Sequence, residues 1–224
     1  MFRKFGTIVA VGALALAAAA TTPAVAAPKS AATTQPPASA PVEVALEFKG
    51  YDKAVAQAHG YTIKTSPQGF EYSVIDNATP AQDQAAQAKA AIRWGKAAPT
   101  GTAPGLVHPN GYGDVFSPTC GTAWISGTAV GNLTVDISTG FTLLPGDEAI
   151  FYFWKVYLAD PGGTSHLQWG PTSLADRNKW SGHKTVGGLT VGNASATVST
   201  ESYAVLIDGS SCNAGPAQAT YGIN

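Results

Sequence analysis

Charge is scarce in this chain, and neither sign prevails. Only 12 per cent of its 224 residues are Asp, Glu, Lys or Arg, about half the share usual in globular proteins. Thirteen basic against fourteen acidic side chains leave no electrostatic footprint for nucleic acid. Cysteine is nearly absent, and two residues cannot by themselves cage zinc or an iron–sulfur cluster. The sequence holds no HExxH, no GxSxG and no EF-hand spacing. Beyond the first twenty residues no apolar run approaches the length of a membrane span. Hydrophobic residues nevertheless make up 45 per cent, which excludes disorder driven by low hydrophobicity and high charge.

What is there begins with an address. Arg3 and Lys4 form a positive n-region, Gly6 to Ala20 an apolar h-region, and Ala24-Val25-Ala26 a signal-peptidase site after the break at Pro23. An apolar run of about 15 residues falls short of the roughly 20 that cross a bilayer. The expectation is a signal peptide over 1–26, cleavage after Ala26, and a secreted, extracellular chain without a membrane span. Losing Arg3 and Lys4 leaves 13 − 2 = 11 basic against 14 acidic side chains. The alanine-rich, lysine-poor composition has the stamp of a high-GC bacterium. Residues 27–41 contain four prolines and no large apolar side chain before Pro41, and read as a flexible tether. Residues 95–109 have the same character. These two linkers set off a small segment, 42–94, from a larger one, 110–224.

The small segment reads as helix, hairpin, helix. Val44, Phe48, Tyr51, Val55 and Ala58 recur at helical spacing, with Gly50 as the weak point. Val42, Val44, Leu46 and Phe48 also alternate as a strand would, but the helix is the preferred reading. Tyr61 and Ile63 face Phe70, Tyr72 and Val74 across the turn Ser66-Pro67-Gln68-Gly69. Thr79-Pro80-Ala81-Gln82 is a capping box with proline at the first helical position. The face that follows, Ala81, Ala85, Ala88 and Ile92, buries little, so the segment is expected to be an accessory or pro-segment.

The larger segment has a different composition. From His108 to Asn224, 17 of 117 residues are glycine, and four of the five tryptophans lie here. Leu133, Val135 and Ile137 alternate with polar residues. Ala149 to Leu158 is apolar on both faces, with Phe151, Phe153 and Tyr157 on the second, which marks a central strand with its second face covered. Tyr203 to Ile207 is a further strand, ended by Asp208-Gly209. Turn signals at short intervals make the fold mainly β: an antiparallel β-sandwich, Ig-like or jelly-roll-like. Cys120 and Cys212, the only cysteines of an exported chain, should be joined.

No catalytic constellation emerges. His59, His108, His166 and His183 have no metal-binding spacing, and no cofactor site is read. Asp147-Glu148 and Asp160 sit in turns, where oxygen ligands for a hard cation can converge, without a calcium-loop pattern. The asparagines of Asn77-Ala78-Thr79, Asn132-Leu133-Thr134 and Asn193-Ala194-Ser195 fit the glycosylation sequon. The surplus of aromatics is more suggestive. Trp169 and Trp180, flanked by His166 and His183, lie in a polar stretch and are the candidate ligand-binding residues, because flat rings among polar side chains hold sugar rings. Two functions follow from different classes. One is a non-enzymatic extracellular module binding carbohydrate, a cell-surface polymer or a protein. The other is a small hydrolase acting on polysaccharide through Asp and Glu carboxylates.

Overall fold

A computed structural model describes residues 40–97, 119–170, 174 and 177–224. The signal sequence, nearly all of the tether and the linker from residue 98 onward lie outside the described residues. The described residues fall in one compact unit.

The chain enters through β1 (Val42–Tyr51), α1 (Lys53–Ala58), the hairpin β2 (Tyr61–Thr65) and β3 (Glu71–Ile75), and α2 (Pro80–Arg93). It continues through β4 (Gly121–Gly131), β5 (Thr134–Leu143), β6 (Ala149–Asp160), β7 (Gly163–Trp169) and β8 (Lys179–Val186). It ends with β9 (Gly192–Val198), β10 (Tyr203–Leu206), β11 (Ser210–Ala214) and β12 (Gln218–Ile223). Ten strands join in the order β12-β9-β6-β10-β11-β1-β4-β5-β8, with β7 added on β6, and β2-β3 form a separate small sheet. The strand pairs are antiparallel. The architecture is mainly β and sandwich-like, with two short helices.

The first segment differs most from expectation. Residues 42–51 are strand, not helix, and β1 lies between β11 and β4. Val44 and Phe48 satisfy both periods, so pattern alone could not decide. Pairing on both edges did, since it fills the backbone hydrogen bonds that a helix would have filled internally. Gly50 at φ +127° then closes off a right-handed helix. Asp52 caps the short helix that follows, accepting from the amides of Ala54 and Val55. The 42–94 segment therefore supplies a middle strand of the main sheet. Cys120 and Cys212 are disulfide-bonded, their Cα atoms 6.0 Å apart. Cys212 lies on β11 and Cys120 precedes β4, so the bond links the two strands flanking β1.

Two smaller differences have one cause. In the hairpin Tyr61 pairs with Ile75 and Ile63 with Ser73, so Tyr72 and Val74 face the other way. Phe70, Tyr72 and Val74 pack under α2 against Ala86, Ala90 and Ala91. The buried face of α2 ends in Ala90 and Arg93, not in Ala88 and Ile92. The helix has turned to bury an arginine. Its capping box at Thr79 and Gln82 forms as the sequence indicates.

The core lies on the inward face of β6. Tyr152, Trp154, Val156 and Leu158 are buried there with Phe141, Ile137, Ile125 and Leu46. Trp154 Nε1 donates to Thr139 Oγ1 at 2.9 Å, and that hydroxyl donates to the Trp124 carbonyl at 2.8 Å. The largest ring in the core thus keeps its polar atom satisfied.

Candidate functional site

The outward face of β6 is open. The sequence marked this strand as central with its second face covered, and it is central: it pairs with β10 through 149–153, β9 through 156–159 and β7 through 154–160. Yet among the described residues Phe151 and Tyr157 remain 36 and 41 per cent exposed. The register sets Tyr203 directly opposite Phe153 and Val205 opposite Phe151. The Tyr203 ring stacks on Phe153 at 6.0 Å and 29°, and meets Phe151 at 5.9 Å and 37°. Three rings from two adjacent strands form a tilted shelf.

The end of α2 walls that shelf. Trp94 is 36 per cent exposed, yet its ring is fixed. Its Nε1 donates to the Glu71 carbonyl at 2.7 Å, and its edge packs against Phe48 at 4.9 Å and 89°. Phe48 in turn contacts Tyr51 at 4.9 Å. Between this wall and the shelf lies a groove of about 760 Å³, bordered by Tyr51, Trp94, Phe151, Tyr203, Val205 and Ser211. Two carboxylates reach its rim and both are engaged. Asp52 caps α1, and Glu71 pairs with Lys53 at 3.0 Å.

Beneath the wall sits a buried ionic cluster. Arg93, 4 per cent exposed, bonds Asp147 at 2.9 Å and Asp208 at 2.7 Å, and donates to Ser210 Oγ. Lys89 also reaches Asp147. The guanidinium lies 5.7 Å over the Phe48 ring. Burial pushes the Asp208 carboxyl up, but Arg93 and the Ser210 amide and hydroxyl outweigh it and hold it below its ordinary value. Burial pushes the Tyr51 phenol up, against the pull of Arg93. A glycosidase acid needs the opposite of what Asp208 has, a carboxyl raised toward neutrality. The cluster pins the helix that carries Trp94.

The residues singled out from sequence separate onto two faces. Trp169 and Trp180 come together at 6.0 Å, edge to face, on the inward side. Trp180 rests on Tyr152 at 4.6 Å, Trp154 at 5.7 Å and Phe141 at 6.0 Å, at the margin of the core. Lys184 Nζ sits 4.9 Å over the Trp169 ring. His166 and His183 point outward instead; His166 stands opposite Tyr157, and His183 lies 3.9 Å from Asp136. Asp147, Glu148 and Asp160 do not converge. Asp147 is held by Arg93, and Asp160 accepts from the Thr190 amide at 2.6 Å. Among the described residues no group of three or more His, Cys, Asp or Glu side chains could hold a metal ion, and no helix there is long and apolar enough to cross a membrane.

Sequence reasoning noted Phe151, Phe153 and Tyr157 but missed Trp94, Tyr51 and Tyr203. A tryptophan at the C-cap, directly before Gly95 where the helix ends, was the available signal. Comparison with known protein families, with curated proteins and with solved structures finds no match for this chain.

Proposed function

We propose that this chain is a non-catalytic extracellular binding module that holds carbohydrate on the shelf formed by Phe151, Phe153 and Tyr203. The observation that carries the reading is the open row of stacked rings facing a fixed tryptophan across a groove. A contiguous exposed apolar surface of this kind costs free energy in water and marks a place where something docks. Sugar rings present C–H faces that pack on aromatic faces, and their hydroxyls require hydrogen-bonding neighbours. Ser211 and Lys49 stand at the groove for that purpose. The rings are held from behind by main-chain pairing and by Trp94's own hydrogen bond, so little order is lost on binding. The carboxylates around the groove are taken up in caps and ion pairs, which favours binding over hydrolysis.

The test is retention on insoluble polysaccharides and purified cell walls. The natural chain should be retained, Trp94→Ala and Tyr203→Ala should elute, and Trp169→Ala should behave as the natural chain while it remains folded. Equal retention of the Tyr203 variant would remove the shelf from the reading. Release of reducing sugar would replace it with the hydrolase.

A further inference from the structure

The outward face of β6 continues beyond the shelf. Its alternate residues run Phe151, Phe153, Lys155 and Tyr157, a row of roughly 20 Å at about 3.3 Å per residue. The strand register places polar side chains beside Tyr203 and Tyr157. Asn213 pairs with Tyr203 on the edge of β10 that faces away from Phe153. Gln168 stands opposite Lys155, while Thr197 and His166 stand on either side of Tyr157. Past Tyr157 the row opens into a second hollow of about 760 Å³, bordered by Asn193, Ser195, Gln218 and Thr220.

The lysines along this row are ion-paired within the protein, and the carboxylate at its far end is held by a main-chain amide. Lys155 pairs with Glu201 at 3.0 Å and lies 4.8 Å over the Tyr157 ring. Glu47, beside Asn213, pairs with Lys49 at 2.5 Å. Asp160, at the border of the second hollow, accepts from the Thr190 amide. Such a surface complements an uncharged ligand: an anionic chain would find its charges desolvated without partners.

We propose that this row takes a linear, uncharged polysaccharide lying along β6, with several sugar units in contact at once from Phe151 to the hollow beyond Tyr157. The proposal rests on the reading of the shelf as a carbohydrate site, and adds the length and charge class of what binds. A single sugar would need the shelf alone. A chain uses Tyr157 and the amide and hydroxyl side chains that follow it, so each further unit adds contacts without a further loss of translational freedom.

Calorimetric titration of the full chain with cello-, xylo- and manno-oligosaccharides, from disaccharide to hexasaccharide, tests it. For at least one of the three series, affinity should rise about tenfold or more from the shortest to the longest. Tyr157→Ala should abolish that rise while leaving disaccharide affinity within about twofold, the size of a surface change away from the shelf. Phe153→Ala should weaken every length. Thr197→Val, a smaller change beside Tyr157, should reduce the gain with length and guards against a folding defect in the tyrosine variant. Affinity independent of length would end the site at the shelf and overturn the proposal, with the carbohydrate reading intact. Tighter binding of oligogalacturonate than of neutral chains of equal length would overturn the charge class. If no oligosaccharide of any length is bound, the shelf reading falls first and this proposal with it.

Discussion

Arg93 and Asp208 meet at 2.7 Å across 115 positions of chain, one at the end of α2 and the other in the turn between β10 and β11. Asp147, in the turn before β6, closes on the same guanidinium at 2.9 Å. One buried side chain therefore fastens a helix to two turns of the main sheet. Trp94 is the next residue, so the groove wall inherits its position from this cluster.

Arg93→Ala should be among the most damaging substitutions in the chain. It leaves Asp147 buried with only the half-exposed Lys89 opposite it, and breaking a buried pair on one side costs about 3 to 5 kcal/mol. Urea unfolding should show the loss. Arg93→Lys should recover only part of it, because an ammonium cannot fork between two carboxylates and a hydroxyl. A variant within about 0.5 kcal/mol of the natural chain would show that the cluster holds nothing in place.

The same cluster sets an acid limit. The folded Asp208 carboxyl titrates below its unfolded value of about 3.9. A depressed carboxyl contributes stability that is present in full above the unfolded pKa and is lost as pH falls through the folded one. Stability should decline below about pH 4 for this reason. Asp208→Asn should be less stable at neutral pH and show a flatter decline in acid, as measured by thermal unfolding across pH. Parallel acid limbs for the two proteins would assign the decline to other groups.

How much of this was legible before the structure depends on where each residue's partner lies. The capping box at Thr79 and the turns around β6 are written within a few residues, and both form. β1 was ambiguous because Val44 and Phe48 fit two periods, and its deciding partners lie in β4 and β11, far along the chain. By its local sequence Arg93 is a cation at the end of a helix, and Asp147 and Asp208 are acids in turns. Nothing local distinguishes a buried triad from three surface charges. The shelf was half legible: Phe151 and Phe153 stood out, but Tyr203 joins them only through the register of β10 on β6.

The disulfide should matter most for β1. Its 92-residue separation corresponds to about 4 to 5 kcal/mol on the chain-entropy model. Removing it as the paired variant Cys120→Ala/Cys212→Ala should lower the urea midpoint. Hydrogen exchange should show β1 amides losing protection ahead of those in β6, since the bond ties together the two strands that hold β1. Uniform loss across the sheet would place its effect in the unfolded chain alone.

Gly140 tests the close approach of β5 and β8. A Cβ there would lie 2.2 Å from the Trp180 carbonyl and 3.0 Å from the Trp124 ring. The carbonyl is main chain in a paired strand, so the clash can be relieved only by moving β8. Gly140→Ala should cost about 1 to 3 kcal/mol, the range for overpacking, and should perturb near-ultraviolet dichroism through both tryptophans. Unchanged stability would mean that β8 shifts freely, against its paired register from Thr142 to Val135.

Trp180 and Tyr203 should separate stability from binding. Trp180 contacts three core rings from the margin, and its removal should cost about 3 kcal/mol, the lower end for a buried tryptophan. Tyr203 stacks on an outward surface, where losing two ring contacts should cost about 1 to 2 kcal/mol. At a temperature where both variants remain folded, Trp180→Ala should still bind polysaccharide and Tyr203→Ala should not. The two rings differ in which face of the sheet they occupy, so the comparison asks which face meets the ligand. The reverse pattern, binding lost with Trp180 and kept with Tyr203, would move the site to the β7–β8 side of the molecule.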